Sequence, residues 1–77
     1  MIHDYLKDKR IEAGVTQAFL AESLGYSSAQ YISNYERGLC NPPLKNLFLI
    51  CELLEADLDK CKDLLRKDFD NKLKGIR

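Results

Sequence analysis

Residues 16–38 read Thr16-Gln17-Ala18-Phe19-Leu20-Ala21-Glu22-Ser23-Leu24-Gly25-Tyr26-Ser27-Ser28-Ala29-Gln30-Tyr31-Ile32-Ser33-Asn34-Tyr35-Glu36-Arg37-Gly38. Two short apolar periodicities lie in this stretch, separated by a glycine. Thr16 offers an N-cap oxygen, after which Leu20, Ala21 and Leu24 fall on one helical face. Gly25 permits the positive φ of a turn. Ser27 and Ser28 are the next capping candidates, followed by Ile32 and Tyr35, with Gly38 as the next stop. The spacing predicts helices over 17–24 and 28–36. Segments this short do not persist alone in water, so longer neighbours must hold both.

Those neighbours are legible on either side. Ile2, Leu6 and Ala13 recur at helical intervals before Gly14, which predicts a first helix over 2–13. Leu39 to Pro43 reads as a loop, because consecutive prolines open a helix but do not sit inside one. Leu44, Leu47, Ile50, Cys51 and Leu54 then form a stripe over 43–54. Asp57 caps a last, amphipathic helix over 58–73, with Leu58, Cys61, Leu65, Phe69 and Leu73 on one face. The expected architecture is all-α, five helices in one domain over 1–77, with its core in 2–56 and the C-terminal helix in 57–73. Two short helices joined by a glycine-containing turn are a helix-turn-helix.

The ordered set Thr16-Gln17, Leu20-Ala21, Leu24-Gly25, Ile32-Ser33, Glu36-Arg37-Gly38, Pro42 or Pro43, Leu47 and Ile50-Cys51 resembles the lambda repressor and Cro family, whose members include XRE-like phage and bacterial regulators. The resemblance spans roughly residues 6–54. It implies a sequence-specific transcriptional regulator, a phage or bacterial repressor, that reads the major groove of double-stranded DNA with the helix near 28–36. It also implies a homodimer on half-sites about 34–36 Å apart. One departure matters. Six residues separate Gly25 from Ile32, where the commonest family pattern has five. Base-contact positions are therefore counted back from Ile32, whose buried side chain fixes the phase of the helix.

On that register Ser28 caps the recognition helix, and Ala29, Gln30, Ser33 and Asn34 lie toward the groove. Gln30 is the foremost reader, since an amide both accepts from and donates to adenine. Ala29 suits a thymine methyl. Gln17 resembles the family's phosphate-touching glutamine, and Arg37, Asn41, Lys45 and Asn46 surround the loop and helix that approach the flanking backbone. Four phosphate contacts per subunit of a dimer imply a log–log salt slope of roughly −7. Arg10 and Glu36 resemble the family's ion pair between the first helix and the end of the third; a phosphate contact or a free surface charge is the competing account of Arg10.

Composition narrows the alternatives. Twelve basic and twelve acidic residues cancel, so net charge favours no partner. Three cysteines, Cys40, Cys51 and Cys61, make an odd number without close pairs; reduced thiols in a cytoplasmic protein are expected, with no metal site and no cofactor. No apolar run resembles a signal peptide or a membrane span. His3, the only histidine, sits at the start of the chain, where solvation is expected, and has no companions for catalysis. No enzyme activity is expected. The fourth helix is apolar on more than one side through Leu44, Phe48, Leu49 and Leu53, and Phe19 and Tyr26 stand where polar residues are usual. These apolar groups keep a second reading open, a protein-interaction module of antitoxin type or a phage regulator that grips a protein partner. The basic tail residues Lys72, Lys74 and Arg77 carry no assignment.

Overall fold

The computed structural model describes residues 1–74, the side chains of 72–74 excepted, so the expectations placed on Leu73 and on the tail residues Lys72, Lys74 and Arg77 lie outside the described residues. Among the described residues run five helices and no strand: α1 (Ile2–Glu12), α2 (Gln17–Ser23), α3 (Gln30–Glu36), α4 (Leu44–Leu54) and α5 (Leu58–Lys74). Four of the expected spans differ from these by a single residue. The third begins two residues later than expected, at Gln30. Its first turn is nonetheless built from Ser28, whose Oγ accepts the Gln30 amide at 2.9 Å, while Ala29 already has helical φ and ψ. No helix among the described residues is long and apolar enough to cross a membrane.

Side-chain caps start two further helices where the sequence places them. Thr16 Oγ1 accepts the Phe19 amide at 3.0 Å, and Asp57 Oδ1 accepts the amides of Asp59 and Lys60. The end of α4 is less usual. Glu55 takes the left-handed conformation, φ 53°, that terminates α4 and turns the chain toward α5.

Each helix contributes to one core. Ile2 and Leu6 come from α1, Leu20 and Ala21 from α2, Ile32 and Tyr35 from α3, Leu47, Ile50, Cys51 and Leu54 from α4, and Cys61 from α5. Ala21 is small where α2 meets α3, the contact that sets the recognition pair. Two expectations fail on α1 and α5. Phe69 is 61% exposed, and the inward place that the stripe assigned to it belongs to Asp68. Asp68 turns inward because its Oδ2 accepts the Ile2 amide at 3.2 Å, capping the first turn of α1 across 66 residues. The start of α1 is therefore tied down, and His3 is half-buried with its ring against Gly38.

One ion pair joins α1 to α3. Arg10 Nε donates to Glu36 Oε2 at 2.6 Å and its second fork nitrogen to Oε1 at 3.0 Å, while a third bond reaches the Val15 carbonyl at 2.8 Å. Both side chains are largely buried, 13% and 4% exposed. Burial alone raises the Glu36 carboxyl, but the bonds from Arg10 and Gln17 outweigh it and hold the group below the ordinary carboxylate range.

Arg10→Met, which leaves the buried carboxylate without its fork, is expected to cost about 3–5 kcal/mol in urea unfolding. Because Glu36 binds a proton less readily in the fold than in the unfolded chain, the pair stabilises fully above the ordinary carboxylate range. That contribution fades as pH falls through the lowered folded value, and acid unfolding followed by circular dichroism reads the loss. Glu55→Gly is expected to gain up to about 1 kcal/mol, since glycine enters the left-handed region without the Cβ clash; a Tm below that of the parent chain contradicts it.

Candidate nucleic-acid interface

The surface of α3 divides by its period. Ile32, Tyr35 and Glu36 point into the protein, whereas Gln30, Asn34 and Arg37 recur at intervals of four and three along the outer side. These three are joined. Gln30 Nε2 donates to Asn34 Oδ1 at 2.9 Å, and the Arg37 guanidinium donates to the same oxygen at 3.0 Å. With Oδ1 accepting twice, the free valences of the trio face outward: the Asn34 amide protons, the Gln30 Oε1, and the remaining Arg37 donors. Gln30 and Arg37 are exposed and Asn34 is half-buried at its base.

The other expected base readers are placed less favourably. Ser28 is exposed at the start of the helix but its oxygen serves the Gln30 amide. Ala29 and Ser33 are half-buried on the flanks of the stripe. Tyr31 was missed from the residues alone. It lies next to Gln30, is 46% exposed, and shares a shallow groove with Ser27, Ser28, Gln30 and Asn34. Its position one residue before the buried Ile32 is the signal that could have found it, because that phase faces outward.

Among the expected phosphate contacts, Asn41 and Lys45 are exposed, and Arg37 belongs to the stripe. Gln17 and Asn46 are occupied within the protein. Gln17 Nε2 donates to Glu36 Oε1 at 3.0 Å, so this side chain completes the hydrogen bonding of the buried carboxylate. Asn46 Nδ2 donates to the Tyr26 hydroxyl, which also shares a 2.9 Å bond with the hydroxyl of Tyr35. Burial, first, and the bond to Tyr26 push the Tyr35 phenol well above its ordinary value.

Tyr26 therefore belongs to the lengthened turn and to the interior rather than to a free surface. Its ring lies 4.7 Å from that of Tyr31 and 6.3 Å, edge-on, from that of Tyr35. The extra residue between Gly25 and Ile32 is absorbed here: the turn is stitched to α3 by two rings and to α4 through Asn46. Phe19, by contrast, is 58% exposed. Among the described residues no group of three or more His, Cys, Asp or Glu side chains is placed to hold a metal ion.

A family model described as helix-turn-helix matches residues 6–61. Among solved structures the chain is similar to SinR, the master regulator for biofilm formation, in complex with DNA, with a TM-score of 0.69 and 31% identity over 79% of this chain and 97% of that one. It is also similar to a chain of the SinR protein/SinI protein complex, with a TM-score of 0.71 and 28% identity over 97% of this chain and 73% of that one. No curated protein sequence matches.

Tyr26→Phe removes the hydroxyl that Tyr35 and Asn46 share. It is expected to lower stability by about 1–3 kcal/mol in urea unfolding, because two partly buried polar groups lose their partner while the ring packing is kept.

Proposed function

The chain belongs to the helix-turn-helix family, among the lambda repressor/Cro-like and XRE-type regulators, and from that premise we propose that it regulates transcription as a repressor by reading double-stranded DNA in the major groove with α3. The observation that carries this reading is the outward stripe of Gln30, Asn34 and Arg37, hydrogen-bonded along its length and anchored from beneath by Ile32, Tyr35 and Glu36. A groove-facing helix needs polar groups whose free valences point away from the body, and preorganisation spares part of the ordering cost of binding. Gln30 reads an adenine edge. Asn34 presents donors to neighbouring acceptors, Ser28, Ala29 and Ser33 border the contact, and Asn41 and Lys45 approach phosphates beyond it. Gln17 and Asn46 act from behind, by holding Glu36 and Tyr26.

Homodimerisation is part of this proposal. Leu44 and Phe48 on α4 and Phe69 on α5 are exposed apolar side chains on helices other than α3, available to a second subunit. The same side chains support a second reading, in which a protein partner docks there. That reading is favoured by the likeness to a chain of a protein–protein complex. Fluorescence anisotropy separates the two. Saturable binding to particular genomic duplexes supports DNA readout, whereas a flat response to every duplex, with a tight protein partner, supports docking.

Gln30→Ala is expected to relax preference at one base position by about 1–3 kcal/mol in a binding-site selection. Lys45→Ala is expected to weaken all sequences alike. Counterion release counts cations, and the interface offers two, Arg37 and Lys45, so a dimer is expected to show a salt slope of about −4 rather than −7, falling to about −2 on loss of Lys45. Anisotropy titrations across salt concentrations read both slopes; a slope unchanged by Lys45→Ala removes that residue from the interface.

A further inference from the structure

Cys51 on α4 and Cys61 on α5 are ten residues apart, and the reversal at Glu55 to Asp57 brings their sulfurs to 3.4 Å. Both thiols are reduced and buried, with exposures of 5% and 0%. Cys40 stands apart as an exposed free thiol. We propose that Cys51 and Cys61 are an oxidisable dithiol, a modification site that closes to an intramolecular disulfide and staples α5 to α4.

The geometry asks little. The sulfurs must approach by about 1.4 Å to reach bonding distance. The two thiols sit at the junction between the α1–α4 body and the last helix, which is tied to α1 through Asp68 but whose Leu58, Leu64 and Leu65 are only half-buried and whose Phe69 is exposed. Partial lifting of α5 is the access route. While α5 is seated the pair is inert, since burial, first, raises both thiols, Cys61 to about 12. Reaction belongs to the lifted state. In a reducing compartment such a pair is a reporter of oxidation rather than a permanent brace.

The oxidant class is a small-molecule disulfide. Cys51, deprotonated once α5 lifts, attacks one sulfur of glutathione disulfide, whose S–S bond breaks to release a glutathione thiolate and leave a mixed disulfide on Cys51. Cys61, losing its own proton, attacks the Cys51 sulfur, and the second glutathione thiolate departs. Two thiols are oxidised, one glutathione disulfide is reduced, and the two released protons go to the two glutathione thiolates. Reseating of α5 then favours closure, because the fold already holds the two sulfurs together.

The test uses the full chain carrying Cys40→Ser, so that the exposed thiol forms no bridge between molecules. The protein is equilibrated in glutathione buffers of graded ratio, quenched, unfolded, alkylated and weighed intact. Closure removes two hydrogens and both alkylation sites, and peptide mapping assigns the bridge. The folded chain is expected to close at a glutathione disulfide to squared-glutathione ratio at least tenfold lower than the same chain in urea. The closed form is expected to melt about 10 °C higher. In Cys61→Ser on the same background, the expected product stops at the mixed disulfide on Cys51. Equal midpoints in buffer and in urea overturn the proposal, as do two alkylated thiols in the folded chain at every ratio.

Discussion

The buried fork between Arg10 and Glu36 fixes what a seven-residue helix cannot fix for itself. An isolated helix as short as α3 does not persist in water, and its orientation must come from outside. Ile32 and Tyr35 press it onto the core, but apolar contacts alone tolerate sliding and rotation. The carboxylate of Glu36 does not. It accepts two nitrogens from Arg10 on α1 and one from Gln17 on α2, so three helices meet at one charged group. Such a pair adds little net stability over an apolar equivalent, yet its directional bonds admit few alternative arrangements. The outward stripe on α3 inherits its direction from that constraint.

The lengthened turn shows how a fold accepts an added residue without disturbing its working surface. Insertion before α3 threatens to rotate the helix about its axis, which would exchange the buried and exposed faces. Ile32 prevents this, because moving it outward would expose its whole side chain. The surplus is taken up upstream, where Tyr26 packs against Tyr31 and Tyr35 and its hydroxyl links them to Asn46. A turn that is commonly small and polar has become an aromatic strut. It lends rigidity to the entrance of the helix and withdraws Asn46 from the solvent side.

What could be read from the residues followed the range of the forces involved. Thr16, Ser28 and Asp57 were legible as caps because each oxygen acts on amides within three residues of itself. The helices and most of the core followed from the apolar period. The Arg10–Glu36 pair was legible only through family resemblance, since nothing local to either residue points to the other. Asp68 was illegible: a carboxylate on an otherwise apolar face reads as an interruption, and its partner amide is 66 residues away. Extending the stripe by four to Phe69 followed local periodicity and missed this distant demand. Gln17 and Asn46 look like surface amides in the sequence, and only the assembled structure shows the carboxylate and phenol that claim them. Cys51 and Cys61 each fall on the apolar stripe of their helix, but periodicity gives no register between α4 and α5, and the turn at Glu55 sets the one that pairs their sulfurs.

The bond from Asp68 to the Ile2 amide also imposes an order of events on the newborn chain. Synthesis proceeds at about 5–20 residues per second, so the acceptor emerges roughly 3–13 seconds after the donor it serves. Throughout that interval the opening turn of α1 has only water for its first amide, while α2 and α3, neighbours in sequence, can already settle against each other. A helix that emerges ahead of α5 is thus sealed only once α5 has followed it, and translation speed sets how long it waits.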